Sequence, residues 1–194
     1  PKVYIYNSHQ LENYNNDGLE IYNITPNVMM ASYLLKEKLN TLSIPTIVET
    51  TNMADFMNVN AWVHADSYKA SRILILDAKN KYDSIEYYID LHRDSISKDL
   101  TTITINKKSY ARLLFVVGLE NPEYEKNLKL ANELSSKINS MYKGLSKGVL
   151  KKQGAGVDGV YNQDITPNMM LLEVGGVYNN IDEVLNSIEA FSIC

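Results

Sequence analysis

The chain has 194 residues, of which 45% are hydrophobic and 22% charged, with a formal net charge of -4. That length supports one domain with its own core, and mild acidity without a basic run excludes the electrostatic footprint of a nucleic-acid or membrane-surface binder. The one cysteine, Cys194, is the last residue, so a disulfide-stapled fold is excluded. Lys2 to Asn7 reads as a buried strand of β-branched and aromatic residues, followed by a polar loop from Asn13 to Gly18. Thr25 before Pro26 is the pattern of a cap followed by proline at the first helical position. Val28, Ala31, Leu34, Leu35, Leu39 and Leu42 then recur at helical spacing.

Pro45 breaks that helix, and Thr46 to Val48 is a second strand. Asn52 to His64 has no clean period and reads as loop with a short helical turn, before a helix opening at Asp66-Ser67 and running to about Asn80. Ser84 to Asp90 is the third strand. Thr101 to Ile105 and Tyr110 to Val117 alternate across Asn106-Lys107-Lys108 as a hairpin. Pro122 starts a long helix with Leu128, Ala131, Leu134 and Ile138 on one face, and Gly144 ends or follows it. Gly154 to Gly159 is a glycine-rich loop without the Lys-Ser/Thr ending of a phosphate-binding loop. Met170 to Val174 is a short buried strand, and Ile181 to Phe191 is the closing helix. Strands alternating with helices predict one α/β domain over residues 1–194, with a twisted, largely parallel sheet flanked by helices.

In such sheets, sites gather outside the carboxyl ends of the strands. His9, His92 and Glu173 are expected there. His9 and Glu12 form a His-x-x-Glu, so a turn after the first strand can present both to one ion. His92 comes from another strand end. Two histidines and one carboxylate are a zinc ligand set that leaves a position for water, and Glu173 is then available as general base. Asp90 shares a strand face with His92, since side chains alternate with period two, and can orient an imidazole. Arg93 and Arg72 are candidates for anionic groups of a substrate. Tyr161-Asn162-Gln163-Asp164 offers donors for an amide, with Asn162 among them. Each motif alone is weak: a lone strand-end histidine is more often structural, and His64 receives no role. Trp62 and Tyr68 could line a groove, and Met29, Met30, Met169 and Met170 read as core filler.

Taken in order, Tyr-Asn-Ser-His-Gln-Leu-Glu, Asp-Leu-His-Arg-Asp-Ser, Tyr-Ala-Arg-Leu-Leu-Phe-Val-Val-Gly, Tyr-Asn-Gln-Asp and Leu-Leu-Glu-Val-Gly-Gly resemble the catalytic domain of the stage II sporulation protein P family. The resemblance spans nearly the whole chain. It implies a zinc amidase fold and an N-acetylmuramoyl-L-alanine amidase of peptidoglycan acting in engulfment during endospore formation, with peptide crosslinks as a second target. It also implies one Zn2+ ion, with His9 and His92 as ligands and Glu173 as general acid/base. Glu12 is favoured as the third ligand by its His-x-x-Glu spacing. Glu20 is its rival, because more distant zinc amidases place that glutamate near the start of the first helix. The implied setting is extracytoplasmic, with a membrane anchor before Pro1. The implied partners are peptidoglycan, the lytic transglycosylase stage II sporulation protein D and a third engulfment membrane protein, with no nucleic acid. A zinc carboxypeptidase or endopeptidase on stem peptides, and a catalytically silent wall-binding scaffold, are the alternatives.

Overall fold

The computed structural model describes residues 1–194. Its strands are β1 (Val3–Tyr6), β2 (Thr46–Val48), β3 (Tyr87–Asp94), β4 (Thr102–Ile105), β5 (Lys108–Ala111), β6 (Leu113–Gly118), β7 (Ser146–Lys152) and β8 (Met169–Gly176). The helices are α1 (Val28–Thr41), α2 (Met53–Val59), α3 (Ser67–Lys81), the short α4 (Lys98–Thr101), α5 (Tyr124–Met141) and α6 (Ile181–Ser192). Six strands form one sheet in the order β2-β1-β3-β8-β6-β7, while β4 and β5 form a separate hairpin. Neighbours run parallel except at β8 and β6, which pair antiparallel.

The pleat sorts the side chains of each strand onto two faces. Val3, Ile5, Ile89, Leu91, Phe115, Met170 and Leu172 point into the larger core, where α1, α5 and α6 supply Leu35, Ile138 and Ile188. Burying several such side chains, at about 1.5–3 kcal/mol each relative to exposure, is the main force holding these helices to the sheet. The opposite face carries Tyr4, Tyr6, Tyr88 and Met169, covered by Ile75 and Ala78 of α3. Further along this second face, Asp90, His92 and Glu173 replace the tyrosines. The cover of α3 gives out there, and a polar cleft opens.

Several expectations are corrected in detail. The first helix is capped by Asn27, whose Oδ1 accepts from Met30 N at 3.0 Å, so Pro26 lies before the cap rather than inside the helix. An asparagine side chain that reaches the third helical amide outcompetes Thr25 for this role. Asn52 to His64 contains a true helix, α2, capped by the Asn52 side chain. The hairpin ends at Ala111; after Arg112 the chain enters the main sheet as β6. Strand β7 has no counterpart among the predicted elements. Ser-Lys-Gly-Val-Leu-Lys-Lys is too polar to read as a buried strand, and its lysines suit an exposed sheet edge. Both β3 and β8 also run past their expected ends, so His92 lies within its strand rather than just beyond it, and Glu173 lies well inside β8.

Candidate metal centre and cleft

The turn after β1 brings His9 and Glu12 together. Glu12 N donates to His9 O at 3.1 Å, and His9 Nδ1 lies 3.2 Å from Glu12 Oε1. His92 enters from β3, its Nδ1 3.4 Å from Glu12 Oε2. One ligand atom from each of His9, Glu12 and His92 lies within 4.8 Å of the others, close enough to converge on one ion. Glu20, the rival carboxylate, is elsewhere: it sits in the 3-10 turn Glu20–Tyr22, and its Oε2 accepts from Gly18 N at 2.9 Å.

A register irregularity completes this arrangement. The β3–β8 ladder pairs His92 with Glu173 and then Asp94 with Gly176. Arg93 lies at that shift, and its amide donates to Glu12 Oε2 at 2.9 Å instead of to the ladder. The bulge therefore aims a backbone dipole at the carboxylate that faces both histidines. Gly175 makes the shift feasible: it has φ +64, and a Cβ there would meet Ala111.

Behind His92 lies a buried polar pair. His92 Nε2 is 3.0 Å from Asp90 Oδ1 and 2.9 Å from Ser8 Oγ, and Ser8 Oγ donates to Asp90 Oδ2 at 2.7 Å. Asp90 is 1% exposed, so this carboxylate is committed to holding the ring. With Nε2 engaged, Nδ1 is the nitrogen presented to the cleft, the usual role of a carboxylate behind a metal-ligating histidine. Burial pulls the His92 pKa down, but the Asp90 and Glu12 carboxylates outweigh it and hold it well above the ordinary imidazole value. Burial pulls Glu12 up, but its hydrogen bonds to His9 and His92 hold it well below the usual carboxylate range. The site thus sets the Glu12 carboxylate between two imidazoles, with the buried His92 ring paired to it.

Glu173 stands beside His92 on the neighbouring strand and on the same face. Its Oε2 is buried with no hydrogen-bond partner. Burial first, and then the nearby charge of Asp94, push its pKa up to about 7. An orphaned carboxylate oxygen costs free energy unless something else engages it, and a carboxylate titrating near neutrality suits proton transfer.

Around these groups is a cavity of about 240 Å³ lined by Tyr68, Tyr161, Lys152 and Glu173 together with the three converging residues. A second cavity of about 210 Å³ opens on the other side of His9 and Glu12, against Leu11, Met53, Ala54 and Met57. His64 lines it and stacks on His9, ring centroids 4.5 Å apart, so all three histidines of the chain meet here. Sequence patterning singles out neither His64 nor Lys152: His64 lies in an unpatterned stretch and Lys152 in the unexpected edge strand.

The remaining candidates fall in different places. Arg93 lines both cavities, with its Nε donating to Asn13 O at 2.9 Å. Arg72 is engaged by Asp164 through Nη1 and Nη2, at 2.8 and 2.9 Å. Asn162 is buried and donates to Tyr68 O and Ser71 Oγ, tying its loop to α3. Tyr161 and Asn162 both have positive φ, 54 and 59°, a strained pair that this tie holds and that turns the Tyr161 ring against Tyr68 at 5.2 Å. Arg72 and Asn162 thus support the rim, while Arg93 is part of it.

The architecture has known counterparts. The chain superposes on the CwlD amidase of Clostridioides difficile, solved in complex with the GerS lipoprotein, with a TM-score of 0.56 and 12% identity, covering 100% of this chain and 94% of that one. It matches Cwp6 from Clostridium difficile with the same TM-score of 0.56 at 10% identity, over 99% of this chain and 28% of that one. The fold is therefore that of this amidase-like group. The family model for stage II sporulation protein P (SpoIIP) matches residues 1–193, and stage II sporulation protein P of Bacillus subtilis (strain 168) is 38% identical over 194 residues, 97% of this chain. The chain belongs to the stage II sporulation protein P family. It spans 48% of the length of that curated relative.

Proposed function

We propose that this domain is a zinc-dependent N-acetylmuramoyl-L-alanine amidase that releases stem peptides from peptidoglycan during sporulation. The observation that carries the reading is the convergence of His9, Glu12 and His92 next to the carboxylate of Glu173, whose Oε2 is buried without a hydrogen-bond partner. Two imidazoles and one carboxylate are the donor set of a hydrolytic zinc site with one open position. His92 is already oriented by Asp90, and Glu12 by the Arg93 amide. These residues fit the ion.

When bound, zinc would polarise the scissile carbonyl and acidify a water molecule. Glu173 takes a proton from the attacking water as its oxygen bonds to the lactyl carbonyl carbon. The carbon–nitrogen bond to L-alanine then breaks, and Glu173 returns that proton to the leaving amine. A carboxyl group titrating near neutrality performs both halves of this cycle better than an ordinary glutamate. Tyr161 and Tyr68 wall the cleft and reduce the access of bulk water.

We place the enzyme outside the cytoplasm in engulfment, with a membrane anchor in the rest of the protein and with stage II sporulation protein D and a further membrane protein as partners. No helix of this chain is long and apolar enough to cross a membrane. The amidase of similar fold solved with a lipoprotein supports the idea that such domains work with protein partners.

Digestion of purified sacculi, with mass spectrometry of the products, tests the reading. Free stem peptides, lost on chelation and restored by zinc, are the expected result. Shortened or uncrosslinked stems still attached to glycan would instead mark a peptidase. Binding to sacculi without any release would mark a scaffold.

A further inference from the structure

The cleft is asymmetric about the metal-binding residues. On one side are Leu11, Met53, Ala54 and Met57. On the other are Glu173, Tyr161 and Lys152. The cations near this second side differ in their commitments: Arg93, at the border of both sides, donates from Nε to Asn13 O at 2.9 Å. Lys147 pairs with Asp94 at 3.1 Å, and Arg72 with Asp164. Lys152, at the last position of β7, has no carboxylate within ion-pair distance of its ammonium and no side-chain hydrogen bond, although it is only partly exposed. An ammonium on the cleft wall without a partner is free to meet an anion.

Chemistry fixes which end of a substrate lies here. Glu173 must reach the leaving nitrogen to protonate it, so the leaving peptide lies on the Glu173 side of the metal-binding residues. The acyl portion then falls toward Leu11 and the methionines. Lys152 shares the cleft wall with Glu173. The α-carboxylate of the second residue is nearly two extended residues from the leaving amine, roughly 6–7 Å, comparable to the span of a lysine stem.

Resting on the amidase reading, we propose that Lys152 binds a free carboxylate of the leaving peptide and selects for peptides that carry one. The probe is a pair of soluble muramyl peptides, identical except that the α-carboxylate of the second residue is free in one and amidated in the other. The zinc-loaded chain should favour the free acid by about tenfold or more, the size of one charge-assisted contact. Lys152→Gln should collapse that preference through KM, and Lys152→Arg should retain much of it. Equal slowing of both substrates by Lys152→Gln, or a shifted pH profile with the preference intact, would overturn the assignment. Lys152 would then act only on the charge of Glu173. Calorimetric binding of the same two peptides reads the preference independently of turnover. If the wild-type chain cleaved neither substrate, the amidase reading would fail, while a binding preference that Lys152→Gln abolishes would still uphold the carboxylate site.

Discussion

At the scale of single residues, the centre places opposite demands on two carboxylates. Glu12 is held ionised by two imidazoles and an amide, while Glu173 is pushed toward neutrality by burial. This has a cost in stability that can be measured in the metal-free chain. Because the Glu173 pKa is raised from 4.5 to about 7 on folding, its contribution is fully present below about pH 4.5 and is lost as the pH rises through 7. The loss is on the order of 3 kcal/mol. Glu173→Gln should therefore melt above wild type at pH 8, with the gap closing toward pH 5, when both are scanned in chelator. The same variant should keep one zinc per chain and lose at least ~100-fold in amide hydrolysis. A variant of undiminished turnover would remove Glu173 from the mechanism. Asp90 acts through His92. Asp90→Asn keeps the shape but weakens the hold on Nε2, and zinc affinity read by chelator competition should fall by about 10–100-fold.

At the scale of elements, loops and strand irregularities build the site, and the regular elements hold them. The β3–β8 register shift frees the Arg93 amide for Glu12, and the Asn162 ties to α3 set the aromatic wall. The glycine-rich loop is seated just as closely. Gly118 ends β6 beneath it, and a Cβ there would run into the Gly159 carbonyl, which belongs to backbone and has no room to yield. The Gln163 side chain clamps the same place, accepting from Gly118 N at 3.0 Å and donating to Val116 O at 2.8 Å. Gly118→Ala should accordingly lower the melting temperature by several degrees, a loss of about 1–3 kcal/mol from overpacking. It should also weaken turnover by displacing Tyr161. An unchanged melting curve would mean that the loop is not anchored to β6.

At the scale of the whole molecule, the proposed metal would be linked to the fold through charge. Without an ion, His92 is held protonated between Asp90 and Glu12. A zinc ion bound through His92 would have to displace that proton. Its affinity should therefore rise by about tenfold per pH unit through the neutral range, since the imidazole pKa lies above it. Saturating zinc should raise the melting temperature in proportion to the logarithm of its concentration. A flat affinity between pH 6 and 8 would show that His92 is neutral before the metal arrives. The sheet gives the site its rigidity: Glu12 follows β1, His92 is on β3 and Glu173 on β8, three adjacent strands packed from one face by a single large core.

Much of this is set by local chemistry in the chain. Alternating strands and helices fix the α/β class, because periods of 2 and 3.6 are local properties of sequence. The His-x-x-Glu spacing fixes the approach of His9 to Glu12, because three residues span one turn. The side-by-side position of Asp90 and His92 needs only strand alternation. Tertiary structure decided the rest. Glu12 rather than Glu20 lies with the histidines because pairing of β1 with β3 carries His92 to the turn after β1, a contact 80 residues apart in sequence. Lys152 reaches the cleft because β7 docks on β6, and nothing in Lys-Gly-Val-Leu-Lys-Lys announces an edge strand. Arg72 and Asn162 turn toward Asp164 and α3 because a loop distant in sequence folds back onto that helix. Long-range pairing of strands sets which charges meet, and no local period encodes it.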